Sequence, residues 1–582
     1  MANYFTDNED IQFLFDHIDL GEVARIQEDD FTRDREQGYA PEDAEDAVDN
    51  YRRVLEIVGQ IAGEMIAPNA ETVDREGNTL NPDGTVSLHP LVQENLDRLS
   101  QADLMGFTLP RKYGGLNCPT LIYTMATEMV SRADCSLMNL FGLQGIAETI
   151  YAFADDELRD YILPQFADGK VTGAMVLTEP DAGSDLQAVR LRAYQGEDGQ
   201  WYLNGVKRFI TNGCGEVLLV LARSEPDIQD GRGLSLFYAE RDERVKVRHL
   251  EEKLGIHGSP TCELVFDNLP CKLIGERQRG LITYVMALMN GARVGIAAQS
   301  MGVAEAAYRL ARTYAHTRQQ FGVPIERLPA VAELVTDMKI DLEAGRALCY
   351  ETARVCDHEN NNLRRMEIDN ANLDKEEKKE RKQRARALKR LNGMLTPMAK
   401  YYCSEMCIRV ADKAIQVLGG SGYMKDYAAE RYLRDSRITT IYEGTSQLQV
   451  VAAVRGVSSG GLETWTADWD TKDHGDAELN ALRDKLVEAK KEILEAITFV
   501  KQQGGTYLDL SGRRLVDSAM DVIMGHLLVA QAAQSPRKRK VAQRFLRRQL
   551  PMIRTNCEVV LSGDSMPLDD YAELAGPVPA AD

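Results

Sequence analysis

Apolar residues recur at three- and four-residue steps through YRRVLEIVGQIAGEMIAPNA, LVQENLDRLSQADLM, LIYTMATEMVSRAD and GIAETIYAFA, which predicts a helical domain over residues 48–171. From about Thr172 the texture changes. VTGAMVLTE, VRLRAYQGEDGQWYLNGVKRFITN, EVLLVLARS, GLSLFYAERD and ELVFDNL are β-branched or alternating runs divided by Gly, Asp and Asn turns, and they predict a β domain over 172–277. The runs are too short and too close together for parallel βαβ repeats, so a barrel or sandwich is expected. Helical pattern returns in three long segments, 281–317, 329–357 and 394–418, which would pack as a bundle within a domain spanning 278–456. Residues 359–390 are rich in Glu, Lys, Arg and Asn, with i,i+4 pairs such as Glu377 and Arg381, and read as a solvated extension of two antiparallel helices. VSSGGLETWTADWDTKDHGD reads as a linker over 457–476, followed by a further helical domain at 477–561 and an unstructured tail at 562–582. Residues 1–47 read as an acidic extension. The fold class is therefore α+β and mainly helical.

The chemistry is not that of the common metalloprotease and nucleotide motifs: HExxH, GxxxxGK[ST] and a strand-to-helix GxGxxG are all missing from the sequence. Five other blocks stand out in order. TEPDAGSD occupies 178–185 after a strand, KRFITNG 207–213, RQQFGVP 318–324, QVLGGSGY 416–423 and IYEGTSQLQ 441–449. Glycines among these let backbone approach a ligand closely, and hydroxyls suit a buried polar ring edge.

These five blocks, over roughly residues 48–456, resemble the acyl-CoA dehydrogenase family, FAD enzymes with a helical N-terminal domain, a middle β domain and a C-terminal four-helix domain. The resemblance implies that Leu177, Thr178, Gly183 and Ser184 line the flavin, with Ser184 also facing the acyl-CoA. Phe209 stands where the family usually has Trp, two residues before Thr211; an aromatic face is kept and the indole donor is lost. Arg318, Gln320 and Phe321 match a block that reaches the FAD of the neighbouring subunit, and Gln416, Gly419 and Gly420 match its adenosine diphosphate contacts; Arg is a forked, permanently charged donor for pyrophosphate. Glu443 matches the base that removes the α-proton of the acyl thioester, with Gly444 at the substrate and Thr445 and Gln447 at the FAD. The other position used for that base in the family is Ala292 here, which has no carboxylate. Asn290 and Arg293 match contacts to CoA. The implied reaction is α,β-dehydrogenation of an acyl-CoA to the trans-2-enoyl-CoA, with hydride passing to flavin N5 and electrons to an electron-transfer flavoprotein. The segments outside the core resemble a subgroup of about 600 residues, broad-range fatty acyl-CoA and methylmercaptopropionyl-CoA dehydrogenases, which implies a homodimer. Acyl-CoA oxidases share the motifs. Alkylation-response flavoproteins that bind DNA share the fold and carry a basic C-terminal patch, to which Arg537, Lys538, Arg539, Lys540, Arg544, Arg547 and Arg548 correspond.

Charge argues against the nucleic-acid reading. The chain of 582 residues has a formal net charge of -21, a field that repels polyanions. Residues 1–50 contribute 16 acidic and 3 basic residues, a net of -13, so the acidic extension could itself neutralise the basic patch. Ten cysteines without a CxxC pair fit reduced thiols in a bacterial cytosol. Cys403 and Cys407 lie one helical turn apart but read as buried small residues, and no metal site is expected. The start MANYFTDNEDIQ lacks the basic and apolar regions of a secretory signal. The apolar stretch 284–307 is interrupted by Arg293 and Glu305 and reads as a core helix, not an integral membrane segment.

Overall fold

The computed structural model describes residues 2–369 and 375–580, without the side chains of 365–369. In the N-terminal helical domain, Asp43 caps the helix Ala44–Ile61 by accepting from the N–H groups of Glu45 and Asp46. The helix Thr120–Ala133 is buried on almost every side, and its first N–H groups are satisfied from outside: the Asp357 carboxylate accepts from Thr120 at 2.6 Å and Leu121 at 2.9 Å. The 1–47 extension is not a loose acidic arm. It forms helices Glu9–His17 and Leu20–Gln27, and Phe5, Ile11, Leu14, Phe15 and Leu20 enter the main core.

Seven strands make the middle domain. Val217–Arg223, Arg192–Gln195, Trp201–Thr211, Thr261–Ile274 and Leu234–Glu240 pair successively, and the last pairs back with the first, which closes a five-stranded barrel. Gly173–Val176 and Val245–Leu250 extend it. The period-two alternation expected of a half-buried strand is replaced by continuous apolar residues in Val217–Arg223. Leu218, Val220 and Ala222 fill the core among the strands, while Val217, Leu219 and Leu221 pack with Ile146, Ile150 and Phe166 of the N-terminal helices. That second face ties the barrel to the helical domain.

Helices Met286–Thr317, Pro329–Asp369, Lys375–Leu418 and Ser446–Ser458 form the bundle. The charged 359–390 stretch extends two of these helices, and the connection between them lies outside the described residues. Gly302 lets Met286–Thr317 approach Thr120–Ala133 at backbone distance, since a Cβ there would sit 2.3 Å from the Glu128 carbonyl oxygen. Helices Ala477–Gln503, Gly505–Ala532 and Pro536–Leu561 complete the chain, with Gly512 set against Val450 and Val454 of the bundle. Two of these long helices, over Gly280–Thr317 and Gly505–Ala532, are apolar enough to cross a membrane by composition; 78% of the apolar window is buried in the second and 33% in the first, whose later residues from Val294 to Ala315 enter the core. The stretch read as a linker is packed structure: it contains helix Gly461–Thr466, buries Leu462 and Trp465, and stacks Trp465 on Trp469 at 5.3 Å. The tail, expected to be unstructured, forms two short exposed helices, Met566–Asp569 and Tyr571–Ala575.

Buried charge joins these parts. Arg346 has no exposed surface and bonds Glu128 at 2.7 Å, Glu305 at 2.9 Å and Asp10, while Lys538 bonds Asp10 and, at 2.9 Å, Glu343. Full pairing is what lets such groups stay ionised without water; against desolvation, Lys538 and Arg346 hold Asp10, and Lys339 and Arg346 hold Glu305, well below the usual carboxylate range. The basic patch therefore has intramolecular partners: Arg537 bonds Glu343, Arg539 bonds Asp476 and Glu478, and Arg544 and Arg548 bond Asp337. Of the first fifty residues only Asp10 takes part in these pairs, so carboxylates of the bundle and of the 476–478 segment, not the acidic extension as a whole, pair five of its seven cations.

Candidate active site

Glu443 lies in a bend between a 3-10 turn ending at Thr440 and the helix that begins at Ser446. Its backbone is left-handed, φ 54°, followed by Gly444 at φ 87°, a conformation that costs a non-glycine residue about 1–2 kcal/mol. Three contacts hold it. The buried Gln449 amide donates to the Glu443 carbonyl at 3.1 Å and the Gly444 carbonyl at 2.9 Å. Lys400 Nζ donates to the Gly444 carbonyl at 2.8 Å. The Tyr442 hydroxyl bonds Asn139 at 3.2 Å and Gln299. A side chain at position 444 would place its Cβ 2.6 Å from Gln449 Nε2, so glycine is required.

The carboxyl this bend presents is left without a hydrogen-bond partner at its buried Oε2. Desolvation pushes it up to about 7, opposed by the charges of Lys400 and Arg293. Lys400 moves the other way, down to about 7, because burial disfavours its cation, with Glu443 partly restoring it. A carboxyl near neutrality, free of bonds and close to two cations, is suited to take a proton from a weak carbon acid. Arg293 lies within the field of Glu443; its Nη1 donates to Asn290 at 3.1 Å, its buried Nε has no partner, and burial lowers its pKa. Asn290 and Arg293 thus bond each other, the charge of Arg293 reaches the base, and Ala292 supplies no second carboxylate.

The first two sequence blocks meet on the barrel. The Arg208 N–H donates to the Thr178 carbonyl at 3.0 Å, and Glu179 and Ala182 exchange backbone bonds at 3.1 Å in a tight turn. Beneath it, the Glu179 carboxylate accepts from the N–H groups of Arg190 at 2.7 Å and Leu191 at 2.8 Å and pairs with fully buried Lys207 at 3.0 Å. Lys207 also donates to the Leu177 carbonyl at 2.7 Å, and burial lowers it to about 8. This pedestal leaves Gly183 and Ser184 exposed at the rim, with open space around Gly183 where a Cβ would stand. A register shift between Lys207 and Ile210 expels Phe209 from the ladder at φ 61°; its ring is 51% exposed with the Arg208 guanidinium 4.7 Å from its centre. Thr211 follows at the strand end.

Arg318, Gln320 and Phe321 lie elsewhere, at the end of Met286–Thr317 and in the hairpin Gln319–Gln320/Val323–Pro324, with Phe321 at the tip 89% exposed. Gln416, Gly419 and Gly420 share that edge, because the Tyr314 hydroxyl bonds Ser421 at 3.3 Å and its ring meets Tyr427 edge-on. No atom stands within 4 Å of a Cβ built at Gly419 or Gly420. Thr445 caps the Ser446 helix through its hydroxyl, and Gln447 is exposed on its first turn. Open glycines, hydroxyls and one Arg in these two groups fit an elongated ligand with a ring at one end and phosphates at the other, as FAD has. Sequence reasoning missed Lys400, Gln449, Lys207 and the Asn139–Gln299 pair. Lys207 and Gln449 fall within the 207–213 and 441–449 blocks without a role of their own there, and Lys400 stands as a lone cation inside the apolar run MLTPMAKYYCSEMC.

Comparison with known proteins identifies the family. Models described as acyl-CoA dehydrogenase N-terminal domain, middle domain and C-terminal domain match residues 49–170, 174–269 and 279–378 with 377–457, and one described as acyl-CoA dehydrogenase C terminal matches 470–549. An acyl-CoA dehydrogenase of Bacillus subtilis is 35% identical over 61% of this chain and 86% of its own. The 3-methylmercaptopropionyl-CoA dehydrogenase of Ruegeria pomeroyi is 33% identical over 69% of each. Butyryl-CoA dehydrogenase of Megasphaera elsdenii superposes with TM-score 0.59 at 28% identity over 70% of this chain and 97% of its own. An acyl-CoA dehydrogenase of Bacillus anthracis complexed with FAD shares the fold over 92% of both chains, with TM-score 0.73 at 24% identity. Four successive domain matches and the ordered site residues place this chain in the acyl-CoA dehydrogenase family, as an FAD-dependent oxidoreductase.

Proposed function

We propose that the protein oxidises the Cα–Cβ bond of an acyl-CoA thioester to the trans-2-enoyl-CoA, with Glu443 as the base. The observation that carries this reading is the desolvated Glu443 carboxyl, pushed up to about 7 with Oε2 unpaired. Its left-handed backbone turns the side chain out of the 441–445 bend while Lys400, Gln449 and Tyr442 hold the bend in place. The Glu443 N–H donates to the thioester carbonyl in this reading, which acidifies the α-carbon. Asn290 and Arg293 take the CoA portion. FAD, when bound along Thr178, Ser184, Phe209, Thr211 and Thr445, supplies the hydride acceptor for the β-hydrogen.

The exposed edge of Phe321, Gly419 and Gly420 supports a homodimer in which each chain completes its partner's cofactor site. The acceptor in this reading is an electron-transfer flavoprotein, in a bacterial cytosol; an oxidase would instead form peroxide in air. Anaerobic mixing of the holoenzyme with acyl-CoA thioesters tests the reaction. Flavin absorbance should bleach, and Glu443→Gln should slow bleaching by ~10²–10⁴ while leaving thioester binding intact. Unchanged bleaching in that variant would remove Glu443 from the role.

A further inference from the structure

Of the ten cysteines nine are buried, and Cys214 alone is partly exposed. It stands one residue past the KRFITNG block, in the turn that leaves strand Trp201–Thr211. That turn is tight. The Asn212 N–H donates to the Pro260 carbonyl at 2.7 Å and the Gly215 N–H to the Asn212 carbonyl at 2.8 Å, with Asn212 left-handed at φ 51°. It is also folded against the neighbouring strand Thr261–Ile274, because a Cβ built on Gly213 would stand 2.7 Å from the Cys262 Cβ. Glycine at 213 lets the chain pass this close, and the next residue brings its sulfur to Cys262, whose thiol donates a hydrogen bond to it. The other contact of the Cys214 sulfur is with Asn212 Oδ1, 3.8 Å away.

A cation completes the group. Arg241 donates to the carbonyls of Gly213 and, at 3.1 Å, Val245, while its buried Nε has no partner. The bond from Cys262, and after it the Arg241 charge, favour the Cys214 thiolate over burial and the weaker repulsion of Glu216, so Cys214 lies below the ordinary thiol value; Cys262, the donor, moves up. A partly exposed thiolate beside a cation, with a second thiol in bonding reach, has the parts of an attacking cysteine and its resolving partner. Cys349 and Cys403 supply the contrast: their side chains are bonded to each other in the same way, but neither has any exposed surface.

We propose that Cys214 and Cys262 form a reversible oxidation site that takes a hydroperoxide, hydrogen peroxide being the simplest. The Cys214 thiolate attacks one peroxide oxygen, the O–O bond breaks, and the departing oxygen takes a proton and leaves as water. Cys214 is then a sulfenic acid, oxidised by the two electrons that reduce the peroxide. The Cys262 sulfur attacks the Cys214 sulfur, the S–O bond breaks, and hydroxide leaves with the Cys262 proton as a second water. The disulfide so formed ties the turn after Thr211 to the strand Thr261–Ile274, and a dithiol opens it again by exchange.

The test treats the FAD-loaded protein with hydrogen peroxide at neutral pH, removes the excess with catalase, alkylates the remaining thiols in denaturant and maps them by mass spectrometry. The protein should lose two hydrogens, yield a peptide joining Cys214 to Cys262 and keep its other eight thiols; dithiothreitol should restore all ten. Cys262→Ser should stop at a Cys214 sulfenic acid that dimedone traps, and Cys214→Ser should leave Cys262 reduced. Before any peroxide, iodoacetamide should label Cys214 in the folded native protein at least ~10-fold faster than any other cysteine. Survival of every thiol in peroxide that oxidises glutathione in the same tube overturns the inference. So does a disulfide between any other pair, or a native Cys214 that stays sulfenic or oxidises further with Cys262 present.

Discussion

Replacing Lys400 by Met tests how the base is tuned. Met fills the space of the lysine stem without its charge, and the Gly444 carbonyl keeps the Gln449 bond at 2.9 Å, so the bend retains its second support. Glu443 keeps the desolvation that raises it and loses the first of two cations that lower it. An opposite charge close by moves a carboxyl by roughly 1–3 units; because Lys400 is itself near 7 and only partly charged at neutral pH, the expected rise is ~1–2 units. The base must be ionised to act, so bleaching rate against pH should keep its rising form while its midpoint moves from about 7 towards ~8–9. At pH near 7 the ionised share falls from about half to a few per cent, a loss on the order of 5–50-fold in rate that alkaline buffer restores. The assay is stopped-flow flavin bleaching by one thioester across pH, in native and Lys400→Met holoenzyme. A uniform loss with an unmoved midpoint would refute the electrostatic account and reduce Lys400 to a prop for the bend.

Gly444→Ala forces a Cβ to 2.6 Å from Gln449 Nε2 at φ 87°, so the bend must move; bleaching should fall by ~10²-fold with FAD content unchanged, and a rate within about threefold of native would show the bend to be adaptable. Lys538→Met leaves Asp10 and Glu343 buried without their shared cation, which should cost about 3–5 kcal/mol in denaturant unfolding; a loss below about 1 kcal/mol would mean water enters the cluster.

Helix and strand periodicity located the main elements because each depends on neighbours a few residues away. The extra helices at Ala477–Leu561 began and ended where the pattern does, and the YEGT block marked Glu443, though not the left-handed bend that holds it. What sequence did not disclose depends on distant partners. Lys400 and Gly444 are 44 residues apart and Lys207 and Leu177 30 apart, and nothing local marks such pairs. Composition also misled where a few anchors outweigh many polar residues. The acidic first segment is held by Phe5, Ile11 and Phe15, and the Gly- and Asp-rich 457–476 stretch by Leu462 and Trp465.

The charge cluster around Arg346 has a consequence for synthesis. Lys538 meets Asp10 across 528 residues, so Asp10 and Glu343 cannot gain this cation while the chain is still being made. A ribosome-bound chain ending before the last long helix has only Arg346 for Asp10 and Lys339 for Glu343, and the carboxylate oxygens that Lys538 would cover need water until it arrives. Burial of the amino-terminal helices therefore becomes final only when the last long helix docks, which makes the far end of the chain the clasp that closes its beginning.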